Sequence, residues 1–210
     1  MTMRNMINTK NLKKIEDFER RYSSILDNTI KSVVKKVSTE GNKWVIDPVE
    51  TIYNSFCGDT QNCAQTSITD VFVDDEDEVR VTFDTNRTVE ICNLSHRDIC
   101  GLLKTQTNLI KKEDVNKLES MGNKLTEILL SFLRNIIKEA SPYSLIIGVD
   151  SLGLQEPLCN NLYEISFKEI NTIFISDEDE KVMIGLCNNE ELPANTLTCN
   201  DLLHIVQEVA

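Results

Sequence analysis

Ten apolar residues in the first half of this chain forecast ten in the second. Leu12, Ile15, Phe18, Tyr22, Ile25, Leu26, Ile30, Val33, Val34 and Val37 become, on adding 103 to each number, Val115, Leu118, Met121, Leu125, Ile128, Leu129, Leu133, Ile136, Ile137 and Ala140. No gap is needed and no position turns polar. Self-similarity at a fixed spacing constrains a fold more tightly than composition, because both copies must bury the same face. Steps of three and four residues put each set on one side of a long helix. The first helix is expected over residues 9–38, with Gly41 as its stop, and the second is expected to end at Ser141-Pro142, where proline cannot continue it.

The likeness extends past the helices. Residues 43–47, which include Trp44, and residues 146–150 each predict a short strand. After a one-residue slip the offset becomes 102, and Cys57 falls on Cys159, Ile68 on Ile170 and Phe72 on Phe174. Val71-Phe72-Val73 then leads into Asp74, Asp75, Glu76, Asp77 and Glu78, just as Ile173-Phe174-Ile175 leads through Ser176 into Asp177, Glu178, Asp179 and Glu180. Alternating Val79, Val81 and Phe83, matched by Val182, Ile184 and Leu186, supply the returning strands, so each copy reads as a β-hairpin with an acidic turn. A third strand and a short helix close each copy. Ser95 with Asp98, and Thr198 with Asp201, have the Ser/Thr-x-x-Asp spacing whose side chains satisfy the first amides of a helix.

The fold class that follows is α+β, a tandem duplication of a unit made of a long helix, an antiparallel sheet with an acidic β-hairpin, and a short C-terminal helix. Residues 1–103 are the first repeat and 104–210 the second. The joining segment, Lys104 to Lys112, is short, which predicts that the repeats pack as one compact body; two independent domains are the alternative. Leu129, Leu130, Phe132, Leu133, Ile136 and Ile137 make the second long helix apolar around more of its girth, so it is expected at the centre, with the first more peripheral.

Charge narrows the partners. With 22 Lys+Arg against 34 Asp+Glu, the net charge of −12 opposes contact with nucleic acid or an anionic membrane. The stretch Ile128 to Ile137 is interrupted by Arg134 and falls short of a membrane span, and no apolar leader opens the chain, so a cytoplasmic location is expected, or a virion interior if the protein is viral. Charge is also uneven. Between Lys10 and Lys36 the first helix has eight basic residues against four acidic ones. Lys13, Lys14, Arg20, Arg21, Lys35 and Lys36 therefore form a basic rod complementary to the acidic turns, and a contact between unlike patches on different copies would build rings or filaments. The turns themselves hold no Gly or Asn and concentrate like charge, so an extended, solvated tip is expected.

Chemistry is sparsely signalled. The seven cysteines, Cys57, Cys63, Cys92, Cys100, Cys159, Cys187 and Cys199, are odd in number and scattered, which predicts reduced thiols rather than a disulfide framework. His96 and His204 are the two histidines; with no Cys-x-x-Cys pair, neither a metal site nor any cofactor is expected. Whether either histidine reaches Cys57 or Cys159 cannot be read from the order of residues. Phosphate-binding and nucleophile-elbow motifs are lacking, and the acidic turns do not follow a calcium-loop pattern. The leading expectation is a non-enzymatic structural or protein-interaction subunit of a larger assembly, such as a virion or phage component, with other proteins or copies of itself as partners. An acidic adaptor, chaperone or inhibitor that grips a basic partner through its hairpin tips is the second reading. An enzyme with a carboxylate or Cys-based site is the third.

Overall fold

The computed structural model describes residues 9–39, 44, 68–83, 86, 88–139, 144–146, 153–154, 168–176, 180–186 and 191–209. Helix α1 (Thr9–Thr39) leads into a meander of β1 (Ile68–Val73), β2 (Val79–Phe83) and β3 (Thr88–Glu90), one 3-10 turn, and helix α2 (His96–Lys104). Helix α3 (Lys112–Glu139) then leads through β4 (Ser144–Ile146) and β5 (Gly153–Leu154) to β6 (Lys168–Ile175), β7 (Val182–Leu186), β8 (Glu191–Pro193), another 3-10 turn and helix α4 (Cys199–Val209). Among the described residues the protein is α+β, with four helices and two small antiparallel sheets.

Strand order is β1-β2-β3 in one sheet and β4-β6-β7-β8 in the other, where β5 also pairs with β6. The registers run in step: Val71 faces Val81 and Val81 faces Val89, while Ile173 faces Ile184 and Ile184 faces Leu192. A bulge lies between Ile68 and Asp70 and another between Ile170 and Thr172. An extra residue flips the alternation. Ile68 and Val71, and likewise Ile170 and Ile173, are thereby buried although three positions apart. Along β2 the simple period of two survives, with Val79, Val81 and Phe83 buried between half-buried Arg80 and Thr82.

Each long helix lies on its own sheet, α1 against β1 and β2, α3 against β4, β6 and β7. The long helices touch each other, and both α2 and α4 pack on both of them. One core results, running from Ile15, Ile30 and Val34 on α1 through Leu125, Leu129 and Leu133 on α3 to Ile184 and Leu192. Each large aliphatic side chain fully buried there stabilises the fold by about 1.5–3 kcal/mol.

The second long helix is the more central, as expected: α3 packs on the three other helices and on three strands, whereas α1 packs on the same number of helices but on two strands, with most of its stripe from Ile15 to Val37 buried and Ile25 exposed. Strand β4 meets the strand expected at 146–150 at Ile146, and it pairs with β6. Residues 147–150 of that expectation, most of residues 43–47, and the Cys57 and Cys159 connections lie outside the described residues; Trp44 is buried. One expectation needs correction: the first acidic turn is tight rather than extended. Asp77 adopts the left-handed conformation, φ 65°, that Gly or Asn would otherwise supply. The Asp74 carboxylate accepts from the amides of Glu76 at 3.0 Å and Glu78 at 2.9 Å, replacing the hydrogen bonds that a standard turn residue would provide. In the second hairpin Glu180 occupies the left-handed position, φ 53°.

Candidate functional site

Helices α2 and α4 start alike. Ser95 accepts from the amide of Asp98 and donates to its carboxylate at 2.6 Å, and Thr198 does the same with Asp201 at 3.1 and 2.6 Å. These caps fix the first residue of each helix, His96 and Cys199, and both point inward. Cys199 Sγ stands 3.9 Å from His96 Nδ1, 3.9 Å from the Gly122 carbonyl oxygen and 3.5 Å from Thr126 Oγ1. On the far side of the ring, His96 Nε2 is 3.1 Å from Asn123 Oδ1, an oxygen that also accepts from Arg97 Nε at 3.2 Å. Since that oxygen only accepts, Nε2 carries the proton and Nδ1 is left as the acceptor for the thiol. Tyr22 stands edge-on to the imidazole, ring centres 6.2 Å apart.

Gly122 makes this meeting possible. A Cβ there would lie 2.6 Å from His96 Cγ and closer still to His96 Cδ2 and the Tyr22 hydroxyl. The hydroxyl is fully buried and has no hydrogen-bond partner among the described residues. Burial also sets the protonation states. It lowers the His96 imidazole, which Asn123 only partly offsets, and it pushes the Cys199 thiol up to about 11 and the Cys100 thiol to about 12. Asp98 and Asp201 are raised by the same cause despite their caps. A neutral imidazole beside a protonated thiol is a packed contact; a cysteine nucleophile requires the thiolate.

Tyr22, His96 and Cys199 form part of the wall of a cleft of about 840 Å³ between α1 and the starts of α2 and α4. Glu19, Asp27 and His204 line it. Glu19 is 9% exposed and accepts from Ser23 Oγ at 2.6 Å.

The charged residues singled out in the sequence divide into two groups. Lys13, Lys14, Arg20, Arg21, Lys35 and Lys36 are all exposed on α1. At the first tip Asp75, Glu76, Asp77 and Glu78 are exposed and Asp74 is half-buried. The rod and the tip meet within one chain: Asp77 pairs with Lys31 at 2.8 Å and Lys35 at 2.7 Å, which hold its carboxyl below the usual range. Arg80 pairs with Asp74 at 2.6 Å and Glu90 at 2.9 Å, and lowers Asp74 likewise. Of the second turn, Glu180 is exposed; Asp177, Glu178 and Asp179 lie outside the described residues.

Sequence reasoning missed the His96–Cys199 contact, although the signal was present. The two residues are 103 positions apart, the spacing of the sequence likeness, and each directly follows a helix cap. No family model, curated protein or solved structure matches this chain. Among the described residues, no helix is long and apolar enough to cross a membrane, and no three His, Cys, Asp or Glu side chains are grouped to hold a metal ion.

Proposed function

We propose that this chain is a non-enzymatic structural or protein-interaction subunit of a larger assembly, built by duplication of one unit. The observation that carries the reading is the state of the contact between the halves. His96, Cys199 and Tyr22 are each less than a tenth exposed and close-packed around Gly122, with the thiol raised and the imidazole lowered. Among the described residues, His96 and Cys199 are thus engaged in holding helices together.

Duplication is supported by contacts between matching positions. Lys104 on α2 donates to Glu119 on α3 at 2.8 Å, and Gln207 on α4 donates to Glu16 on α1 at 3.0 Å; both members of the second pair stand 103 positions from those of the first. The left-handed residues Asp77 and Glu180 are 103 apart as well. Two copies joined through matching surfaces make a closed pair, as in an isologous dimer, and only the outer faces are left for other chains.

Light scattering on the purified protein, together with the stoichiometry of whatever copurifies from its native source, tests this. Self-association or a stoichiometric partner is expected, and a monomer recovered alone would overturn it. The His96–Cys199 contact is also the one observation that favours an enzyme, and thiol reactivity separates the two readings.

A further inference from the structure

One row of α1 faces solvent. Lys14, Arg21, Ile25, Asn28, Ser32 and Lys36 are all exposed; from Arg21 onward they follow at three- and four-residue steps, and Lys14 lies two turns before Arg21. One half-exposed carboxylate, Asp17, borders the row between Lys14 and Arg21 and lies 3.8 Å from Arg20. The other acidic residues of the helix are turned elsewhere: Glu16 accepts from Gln207, Glu19 is buried and Asp27 lines the cleft. The neighbouring lysines, Lys31 and Lys35, share the Asp77 carboxylate, whereas Lys14, Arg21 and Lys36 have no carboxylate within ion-pair distance among the described residues. A positive row thus persists on a chain of net charge −12.

The row is also apolar at its middle. Ile25, at 46%, is the one large hydrophobic side chain exposed among the described residues. Beside it, between α1 and the turn joining α2 to α3, runs a groove of about 400 Å³ whose apolar lining is Ile25, Val33, Leu109 and Ile110, with Lys36 at its edge. Asn28 and Thr29 border the groove, but their side chains donate to carbonyls one turn back, at Ser24 and Ile25, so its recognition rests on shape and positive charge. From Lys14 to Lys36 the row spans about 33 Å at 1.5 Å per residue.

We infer that this row and groove dock an acidic segment of a partner protein, with one apolar side chain seated against Ile25, Leu109 and Ile110 and carboxylates on Lys14, Arg21 and Lys36. The inference rests on the interaction reading above and names the chemistry of the partner. A second copy is disfavoured, because the first tip's Asp77 is engaged by its own α1 and two chains of the same large negative charge repel.

The test is selection of random peptides displayed against the whole chain. Enriched sequences should be acidic with an embedded Leu, Ile, Phe or Met, and synthetic versions should lose affinity about tenfold or more when that residue becomes Ser. Ile25→Glu and, separately, Arg21→Glu with Lys36→Glu should each weaken binding about tenfold, with the melting temperature unchanged because all three residues are exposed. Asp75→Ser with Glu76→Ser should leave binding intact. Enrichment of basic peptides, or acidic peptides that bind the α1 variants equally well, would overturn this inference while leaving the interaction reading standing; a chain that is monomeric and partnerless in its source would remove that reading by itself.

Discussion

Cys199 Sγ lies 3.9 Å from His96 Nδ1, and the two residues, 103 positions apart, each begin a capped helix. Three helices converge there on Gly122 of a fourth, and that convergence governs what the protein tolerates.

Gly122→Ala should destabilise the chain although alanine is the better helix former. Propensity favours the substitution by about 1 kcal/mol. The new methyl, however, overlaps the His96 ring and the Tyr22 hydroxyl, and overpacking of that kind costs about 1–3 kcal/mol. A lower urea midpoint is expected, restored in part by His96→Ala in the same chain. Raised stability in Gly122→Ala would show that the helices do not meet there.

Stability should fall on both sides of neutrality. Burial lowers His96 from its ordinary 6.5, so below that pH the unfolded chain binds a proton that the folded chain refuses, and stability declines until the folded value is passed. Above about pH 9 the sign reverses. The unfolded chain releases protons from Cys199, Cys100 and Tyr22 that burial retains in the folded one, so stability again declines. Tyr22→Phe should remove part of the alkaline loss and, by deleting an unpartnered buried hydroxyl, leave the neutral-pH stability equal or higher by about 1–3 kcal/mol. Melting curves across pH check each limb; a His96→Gln chain with an unchanged acid limb would refute the assignment.

Alkylation followed by peptide mapping should find Cys100 and Cys199 protected in the native chain at neutral pH. Both are buried and raised, and labelling is expected only through unfolding. Cys92 is exposed but raised to about 11, so it should react more slowly than a free thiol. Rapid native labelling of Cys199 would make it a nucleophile and favour the enzyme reading.

Asp77 combines a charge with an unusual backbone, and two substitutions separate them. Asp77→Asn keeps a residue that tolerates φ 65° and loses exposed ion pairs, at a cost of about 1 kcal/mol or less. Asp77→Ala adds left-handed strain of about 1–2 kcal/mol. Equal midpoints for the two variants would argue against the left-handed turn.

The α1 and α3 boundaries, the two hairpins and both helix caps were legible in the sequence, because each depends on neighbours close in the chain. Period and cap chemistry identify Thr9–Thr39, the Val79–Phe83 strand and the Ser95–Asp98 box without knowledge of the fold. The bulges after Ile68 and Ile170 were not legible, since the same residues read equally well as regular strands, and neither was the turn that Asp74 closes with its own carboxylate. What only the tertiary structure decided was which surfaces meet. The sequence lists eight cations on α1, but folding brings Asp77 to Lys31 and Lys35 and leaves Lys14, Arg21 and Lys36 facing solvent. It lists His96 and Cys199 far apart, and the packing of four helices brings them together. Local order follows from backbone and cap preferences along a few residues, whereas contacts across a hundred positions depend on how whole faces pack against one another.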